Sequence, residues 1–92
     1  MSIEFKNLME DIVLQNLDGI MKAQGGCTCD YCKSDVAAYT LNHLQPHYVS
    51  THYGNLMVRL QSYEMQFFAD VVSAISEAAA IVAKNPRHDR ST

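Results

Sequence analysis

The three cysteines of this chain, Cys27, Cys29 and Cys32, lie within six residues and directly follow a Gly-Gly pair. Thiolates are strong zinc ligands, and a tetrahedral zinc site needs donors that converge on one point. A turn led by glycine lets the backbone bring three thiolates together with little strain. The spacing therefore predicts a zinc ion bound by Cys27, Cys29 and Cys32, with a fourth ligand still to be found.

Two other interpretations of the cysteines stay open. Cys29 and Cys32 form a C-x-x-C pair, the spacing of a redox dithiol, but such dithiols usually accompany a βαβ pattern that is missing here. The remaining interpretation is that the three cysteines share no role. The metal hypothesis is favoured, because three clustered thiols without another pattern are typical of a metal site.

The length and composition indicate one small domain. The chain has 92 residues, of which 48% are hydrophobic, and a domain of this size buries only about 60–65% of the surface that its unfolded chain exposes. Small domains usually gain stability from a bound metal or from a subunit interface. Both are therefore expected here.

The charge pattern limits the classes of partner. The formal net charge is −3 and the seven lysines and arginines are scattered, so we expect no direct contact with nucleic acid. The N-terminus lacks a signal-peptide pattern. The longest apolar stretch, 71–83, is interrupted by Glu77 and is shorter than the ~20 residues of a membrane span. We expect a cytoplasmic protein without a membrane partner, and cysteines in the thiol form suit that reducing compartment.

Apolar periodicity predicts an all-α fold, a small domain of three to four helices that positions the cysteine loop. Ser34 is predicted as the N-cap of the second helix. The third helix is apolar or small on more than one face, which predicts a homodimer with helix 3 forming much of the interface. A charge at Ile75 or Ala78 is expected to split that dimer or unfold it. The single domain, 1–92, divides into helix 1 over 3–24, the cysteine loop over 25–33, helix 2 over 34–45, helix 3 over 57–84 and a tail over 85–92.

The fourth zinc ligand follows from helix connectivity. His43 lies eleven residues after Cys32, ~16 Å away along a helix, and His47 and His52 lie beyond it. If the three helices run down, up and down, the end of helix 3 returns to the cysteine loop with His88. We predict His88 as the fourth ligand; the alternatives are Asp30 or a group from another subunit, with His88 in solvent.

A longer pattern resembles the core signature of the late competence development protein ComFB family. Asn7-x-x-Glu10-x-x-Val13 is similar to the opening helix of that family. The core signature appears here as Cys27-x-Cys29-x-x-Cys32-x-x-Asp35-Val36-x-Ala38-x-x-Leu41-Asn42-x-Leu44-x-Pro46-x-Tyr48-Val49-x-Thr51-x-x-Gly54.

The resemblance implies an all-helical homodimer with a cysteine-bound zinc in each subunit, acting in bacteria as a regulator and not as an enzyme. It also implies a possible ligand class, because some members bind cyclic dinucleotides. This chain departs from the family pattern at Gln45-Pro46, where Pro-Pro is common, and at His47, where Arg or Lys is common. Some relatives carry a cysteine after the last helix, where this chain offers His88.

Two functions are consistent with the sequence and with the resemblance. The first is a dimer that binds cyclic di-GMP or cyclic di-AMP through aromatic rings that stack on the bases, hydrogen-bond donors and the permanent positive charge of Arg59. The ordinary alternative is that the tyrosines pack in the fold and that Arg59 is exposed to solvent. The second is a zinc-stabilised dimeric interaction module that docks onto an unknown protein partner in competence, motility or transcription machinery. Neither is enzymatic, because the sequence has no Ser/His/Asp set and no phosphate-binding glycine loop. The candidate ligand-binding residues are His47, Tyr48, Thr51, Tyr53 and Arg59.

Overall fold

A computed structural model of the chain describes residues 3–52 and 56–84. Within these residues the fold is small and mostly helical, with three helices and one two-stranded sheet. The elements in chain order are β1 (Phe5–Asn7), α1 (Leu8–Ala23), α2 (Asp30–His43), β2 (Tyr48–Ser50) and α3 (Leu56–Lys84).

The first helix begins later than the sequence predicts. Asn7 is the N-cap of α1, because its Oδ1 accepts a hydrogen bond from the backbone N–H of Met9 at 3.1 Å. The residues before Asn7 belong to β1 and not to a helix. At the other end, Gly25 has a φ of 75° and its N–H donates to the carbonyl of Lys22 at 3.0 Å. A glycine is favoured there because this φ strains other residues.

The short sheet was not predicted from the sequence. β1 and β2 are antiparallel, and Lys6 lies opposite Val49. Asn7 reinforces the pairing, because its Oδ1 also accepts from the N–H of His47 at 2.8 Å, 40 residues away. Two strands so far apart in the chain leave no hairpin signal in the sequence, so the prediction of a purely helical fold was wrong in this part.

The second helix begins at Asp30 and not at residue 34, and the predicted N-cap, Ser34, lies inside it. The N-cap is Cys29, whose Sγ accepts from the N–H of Cys32 at 3.5 Å. The sequence predicts all three cysteines in a loop, whereas Cys32 lies in the first turn of α2. The helix ends at His43, and Leu44 is extended, which suits a chain about to enter Pro46.

The third helix agrees with the prediction to within one residue, and it packs against both α1 and α2. Its 29 residues span ~43 Å, about twice the ~21 Å of α2. The core between the three helices is formed by Leu8, Met9, Ile12, Val13, Leu17, Met21, Cys32, Val36, Val49, Leu60, Val71, Ile75, Ala78 and Ala79.

Ile75 and Ala78, where an added charge is predicted to split the dimer or unfold it, lie inside the protomer. Both are 0% exposed within the single chain, so they are core residues, and of the two outcomes unfolding is the one that the fold favours. The large exposed apolar side chains of α3 lie mostly in its first half, where Met65 is 84% and Phe68 50% exposed. A homodimer remains a prediction, and its expected interface is now the first half of α3.

Among the described residues, α3 is the one helix whose length and composition would also suit a membrane span. Only 22% of its most apolar window is buried in the single chain. A single helix of this kind is weak evidence for a membrane, because core helices of soluble proteins share these properties.

Candidate metal centre

The three cysteines converge on one point. The Sγ atoms of Cys27, Cys29 and Cys32 all lie within 4.8 Å of one another. In a tetrahedral zinc site with Zn–S bonds of about 2.3 Å, neighbouring sulfur atoms are ~3.8 Å apart, so a small closure of the cluster would place them at ligand distance. Cys27 is exposed, Cys29 partly buried and Cys32 buried. The chemistry of three thiols in this geometry fits zinc.

The start of α2 orients two of the three sulfur atoms. Cys29 occupies the N-cap and Cys32 the first turn. The N-terminus of a helix carries a partial positive charge and therefore favours thiolates over thiols. Both side chains are thus held near an electrostatic environment that suits metal ligation.

The close approach of the thiols also affects their protonation. Burial, followed by the neighbouring Cys27 and Cys29, raises the pKa of Cys32 to about 12. Without a cation, three thiolates at this separation repel one another, so Cys32 keeps its proton at neutral pH. A bound cation reverses this balance, because it stabilises the thiolate that ligates it.

An ion-pair network that the sequence reasoning missed lies beside the cysteines. The carboxylate of Asp18 on α1 pairs with Lys33 Nζ at 2.8 Å and with Lys22 Nζ at 3.0 Å. The hydrogen bond from Lys33 has the largest effect and that from Lys22 the next largest, and both lower the pKa of Asp18. The i, i+4 spacing of Asp18 and Lys22 is visible in the sequence, but the pair that links α1 to the start of α2 depends on the tertiary fold.

The end of α3 lies beside the cysteines, as the connectivity argument predicts. A cavity of about 640 Å³ is lined by Cys27 and Cys32 and by four residues between 79 and 83 on α3. The Gln24 side chain donates to the carbonyl of Ser76 at 3.3 Å and links the end of α1 to α3. His88 follows Lys84 by four residues and lies outside the described residues, so its role as fourth ligand stays a prediction.

His43 is placed far from the metal centre. It is the last residue of α2, whereas Cys32 lies in the first turn. Its ring stacks on Tyr39 with 4.2 Å between the ring centroids, and its Nδ1 lies 2.8 Å from the carbonyl oxygen of Tyr39. The helix-length argument that excluded His43 as a zinc ligand therefore agrees with the structure.

The candidate ligand-binding residues contact different elements. The ring of His47 packs against Phe67 of α3 at 4.5 Å between centroids. Tyr48, 60% exposed, meets the ring of Phe5 edge-on at 5.7 Å. The hydroxyl of Thr51 donates to Glu4 Oε1 at 3.4 Å. Tyr48 and Thr51 thus share the sheet side of the molecule, while His47 turns toward α3.

Arg59 lies one turn into α3 and is half-buried. It forms no salt bridge with any residue that the structure describes. Tyr53, the fifth candidate, lies outside the described residues. Among the described candidates, His47 packs against α3, whereas Tyr48 and Thr51 contact residues at the sheet.

Comparisons with known proteins agree with the fold. The sequence model of the family "Late competence development protein ComFB" matches residues 6–86. The competence protein ComFB of Bacillus subtilis (strain 168) is 28% identical over 81 residues, which cover 87% of this chain and 83% of that protein. The solved structure of the late competence protein ComFB from Bacillus subtilis superimposes with a TM-score of 0.74 at 24% identity, covering 96% of this chain and 98% of the other.

The structural match supports the fold alone, because the identity is low. The family match supports membership of the family, since the matched residues extend from β1 past the end of α3 and include the cysteine cluster. This chain belongs to the late competence development protein ComFB family.

Proposed function

We propose that this chain is a non-enzymatic regulatory protein in which Cys27, Cys29 and Cys32 hold one structural zinc ion. The observation that carries the proposal is the convergence of three Sγ atoms within 4.8 Å. Three thiolates and one further protein ligand leave zinc no open position for a substrate, so the site is structural and not catalytic.

His88 is the proposed fourth ligand. The end of α3 lines the same cavity as Cys27 and Cys32, so the chain that follows Lys84 starts close to the metal centre. Zinc bound in this way ties together the start of α2 and the ends of α1 and α3. Elemental analysis of the purified protein, together with melting curves of metal-loaded and metal-free samples, tests this role.

The protein is proposed to act as a homodimer in the cytoplasm. The first half of α3 exposes Met57, Val58, Met65 and Phe68, and a soluble monomer seldom leaves this much apolar surface on one helix. A second copy that packs against this half of α3 would cover it.

Cyclic dinucleotide binding is the first function that we propose for the dimer. A ligand with two phosphates, two purines and near two-fold symmetry matches a groove between two identical subunits. The exposed ring of Tyr48 offers a stacking face, and Arg59 offers a guanidinium without a described carboxylate partner. Calorimetric titration of cyclic di-GMP and cyclic di-AMP into the zinc-loaded protein tests this function.

A protein-interaction module is the second function that we propose. The cavity next to His47 is lined by Asp70 and Glu77, which repel the phosphates of a nucleotide and favour a partner of opposite charge. The relatives are named competence proteins, so competence machinery is the first place to look for the partner, ahead of motility and transcription machinery. Absence of any nucleotide binding would leave this function standing.

A further inference from the structure

A second cavity lies at the opposite end of α2 from the cysteines. It measures about 570 Å³ and is bounded by the end of α2, the segment that leads into β2, and one face of α3. Its walls include His43, His47, Phe67, Asp70 and Glu77. Neither the metal centre nor the exposed faces of Tyr48 and Arg59 belong to it.

One wall of this cavity is held in place by several contacts. The carbonyl of His47 accepts a hydrogen bond from the N–H of Leu8 at 2.8 Å, and the N–H of His47 donates to Asn7 Oδ1 at 2.8 Å. The His47 ring rests 4.5 Å from Phe67, and the His43 ring is stacked on Tyr39. The aromatic part of the cavity is therefore preformed, which lowers the entropic cost of binding.

The opposite wall carries two carboxylates. Asp70 and Glu77 lie on one face of α3, seven residues and ~10.5 Å apart along the helix. Both are exposed, and neither forms a salt bridge with a residue that the structure describes. The lining includes no lysine or arginine among these residues. The C-terminus of α2 also points its partial negative charge toward this end of the molecule.

This combination of groups selects a cation with flat faces. A guanidinium group pairs with a carboxylate through two parallel hydrogen bonds and stacks on aromatic rings. In the extended polyproline II conformation, which has three residues per turn, two arginines three residues apart point to the same side and are ~9 Å apart, close to the rise from Asp70 to Glu77. An anionic ligand would meet repulsion from both carboxylates.

We propose that the cavity docks an extended Arg-x-x-Arg segment of a protein partner. One guanidinium pairs with Asp70 beside the rings of His47 and Phe67, and the other pairs with Glu77. This docking site rests on the interaction-module function proposed above and gives that module the chemistry of its partner. The apolar floor of the cavity takes the stems of the two arginine side chains.

The test uses the zinc-loaded, ¹⁵N- and ¹³C-labelled full chain and the peptide acetyl-Arg-Ala-Ala-Arg-amide at low salt. Saturable shifts of the His43, His47 and Phe67 ring signals support the proposal. Two control peptides are matched to it: one has citrulline for both arginines, which keeps the shape and removes the charge, and one has adjacent arginines. Both should bind at least tenfold more weakly.

Variants separate the cavity from general electrostatic attraction. Asp70→Asn combined with Glu77→Gln should weaken the peptide at least tenfold. Glu10→Gln removes an exposed carboxylate of α1 that does not line the cavity and should leave binding within twofold. Equal binding of the citrulline peptide, or an unchanged affinity in the double variant, would overturn the proposal, and so would spermidine binding as tightly as the peptide.

A parallel titration with cyclic di-GMP and cyclic di-AMP keeps this site distinct from the nucleotide function. Nucleotide binding should depend on Tyr48 and Arg59. The affinity for the nucleotide should be unchanged in the variant that combines Asp70→Asn with Glu77→Gln. If the unsubstituted chain binds a nucleotide but not the peptide, the docking site alone is refuted. Peptide binding without nucleotide binding supports the docking site and refutes the nucleotide function.

Discussion

Cys29 accepts a hydrogen bond at its Sγ from the backbone N–H of Cys32, 3.5 Å away. One cysteine therefore both begins α2 and presents its sulfur to the metal centre, and the other follows it by one turn of the helix. A metal ion bound at this cluster would therefore also act on the start of α2, because the side chain that caps the helix is a proposed ligand.

The first prediction separates the cap from the ligand. Cys29→Ser keeps an N-cap acceptor but replaces a soft thiolate, so we expect zinc to be lost from an otherwise folded chain. Cys29→Ala should lose the zinc and also about 0.5–2 kcal/mol of helix-cap stability. Elemental analysis and thermal melting in the presence of a chelator measure both effects. Equal zinc content in wild type and Cys29→Ser would refute the ligand role.

A second prediction concerns the fourth ligand. His88→Ala should lower zinc affinity and the melting temperature, because loss of one ligand opens the site to water. His52→Ala is the matched control, since His52 follows β2 at the other end of the molecule. Competition with a chromogenic chelator measures the affinities, and identical curves for His88→Ala and wild type would reassign the fourth ligand.

The third prediction is a pH dependence of the metal-free protein. The folded-state pKa of Cys32, raised to about 12 from an ordinary value of 9.0, means that the neutral thiol stabilises the fold. That stability is fully present below about pH 9 and is lost as the pH rises toward 12. Urea unfolding of the metal-free chain between pH 7 and 11 should show this decline, and Cys32→Ala should flatten it. An equal slope in both proteins would contradict the assignment.

The fourth prediction locates the dimer interface. Met65→Glu or Phe68→Glu should produce a folded monomer, because these side chains are exposed in the protomer and would be buried only against a second copy. Ile75→Glu should instead unfold the chain, because its side chain is fully buried in the protomer. Gln66→Glu, at an exposed position of α3, is the control for added charge. Light scattering and circular dichroism together distinguish the outcomes, and a wild-type monomer at micromolar concentration would remove the dimer.

The fifth prediction tests the nucleotide function. Arg59→Ala and Tyr53→Ala should each weaken cyclic dinucleotide binding by about 1–3 kcal/mol, through loss of a charged hydrogen bond and of base stacking respectively. Arg59→Lys keeps the charge and should recover part of the affinity, since a lysine cannot bind a phosphate in the bidentate manner of arginine. Calorimetry that shows no heat with either nucleotide up to high micromolar concentration would leave the interaction module as the function.

The sequence by itself determined the features that depend on local spacing. The cysteine cluster could be read from Cys27, Cys29 and Cys32 because three ligands within six residues need only one turn to converge. The bounds of α3 could be read from its periodicity, since a long apolar helix depends on repeated local contacts. The position of its end beside the cysteines followed from three helices of alternating direction.

The tertiary structure decided every feature that joins distant parts of the chain. The pairing of β1 with β2 depends on Asn7 meeting His47 across 40 residues, and no local pattern records such a contact. Periodicity showed that Ile75 is apolar, but whether it faces α1 and α2 or a second subunit depends on how the helices rotate against each other. The acidic cavity has the same origin: Asp70 and Glu77 are ordinary helix-surface residues until the fold places them across from His43 and His47.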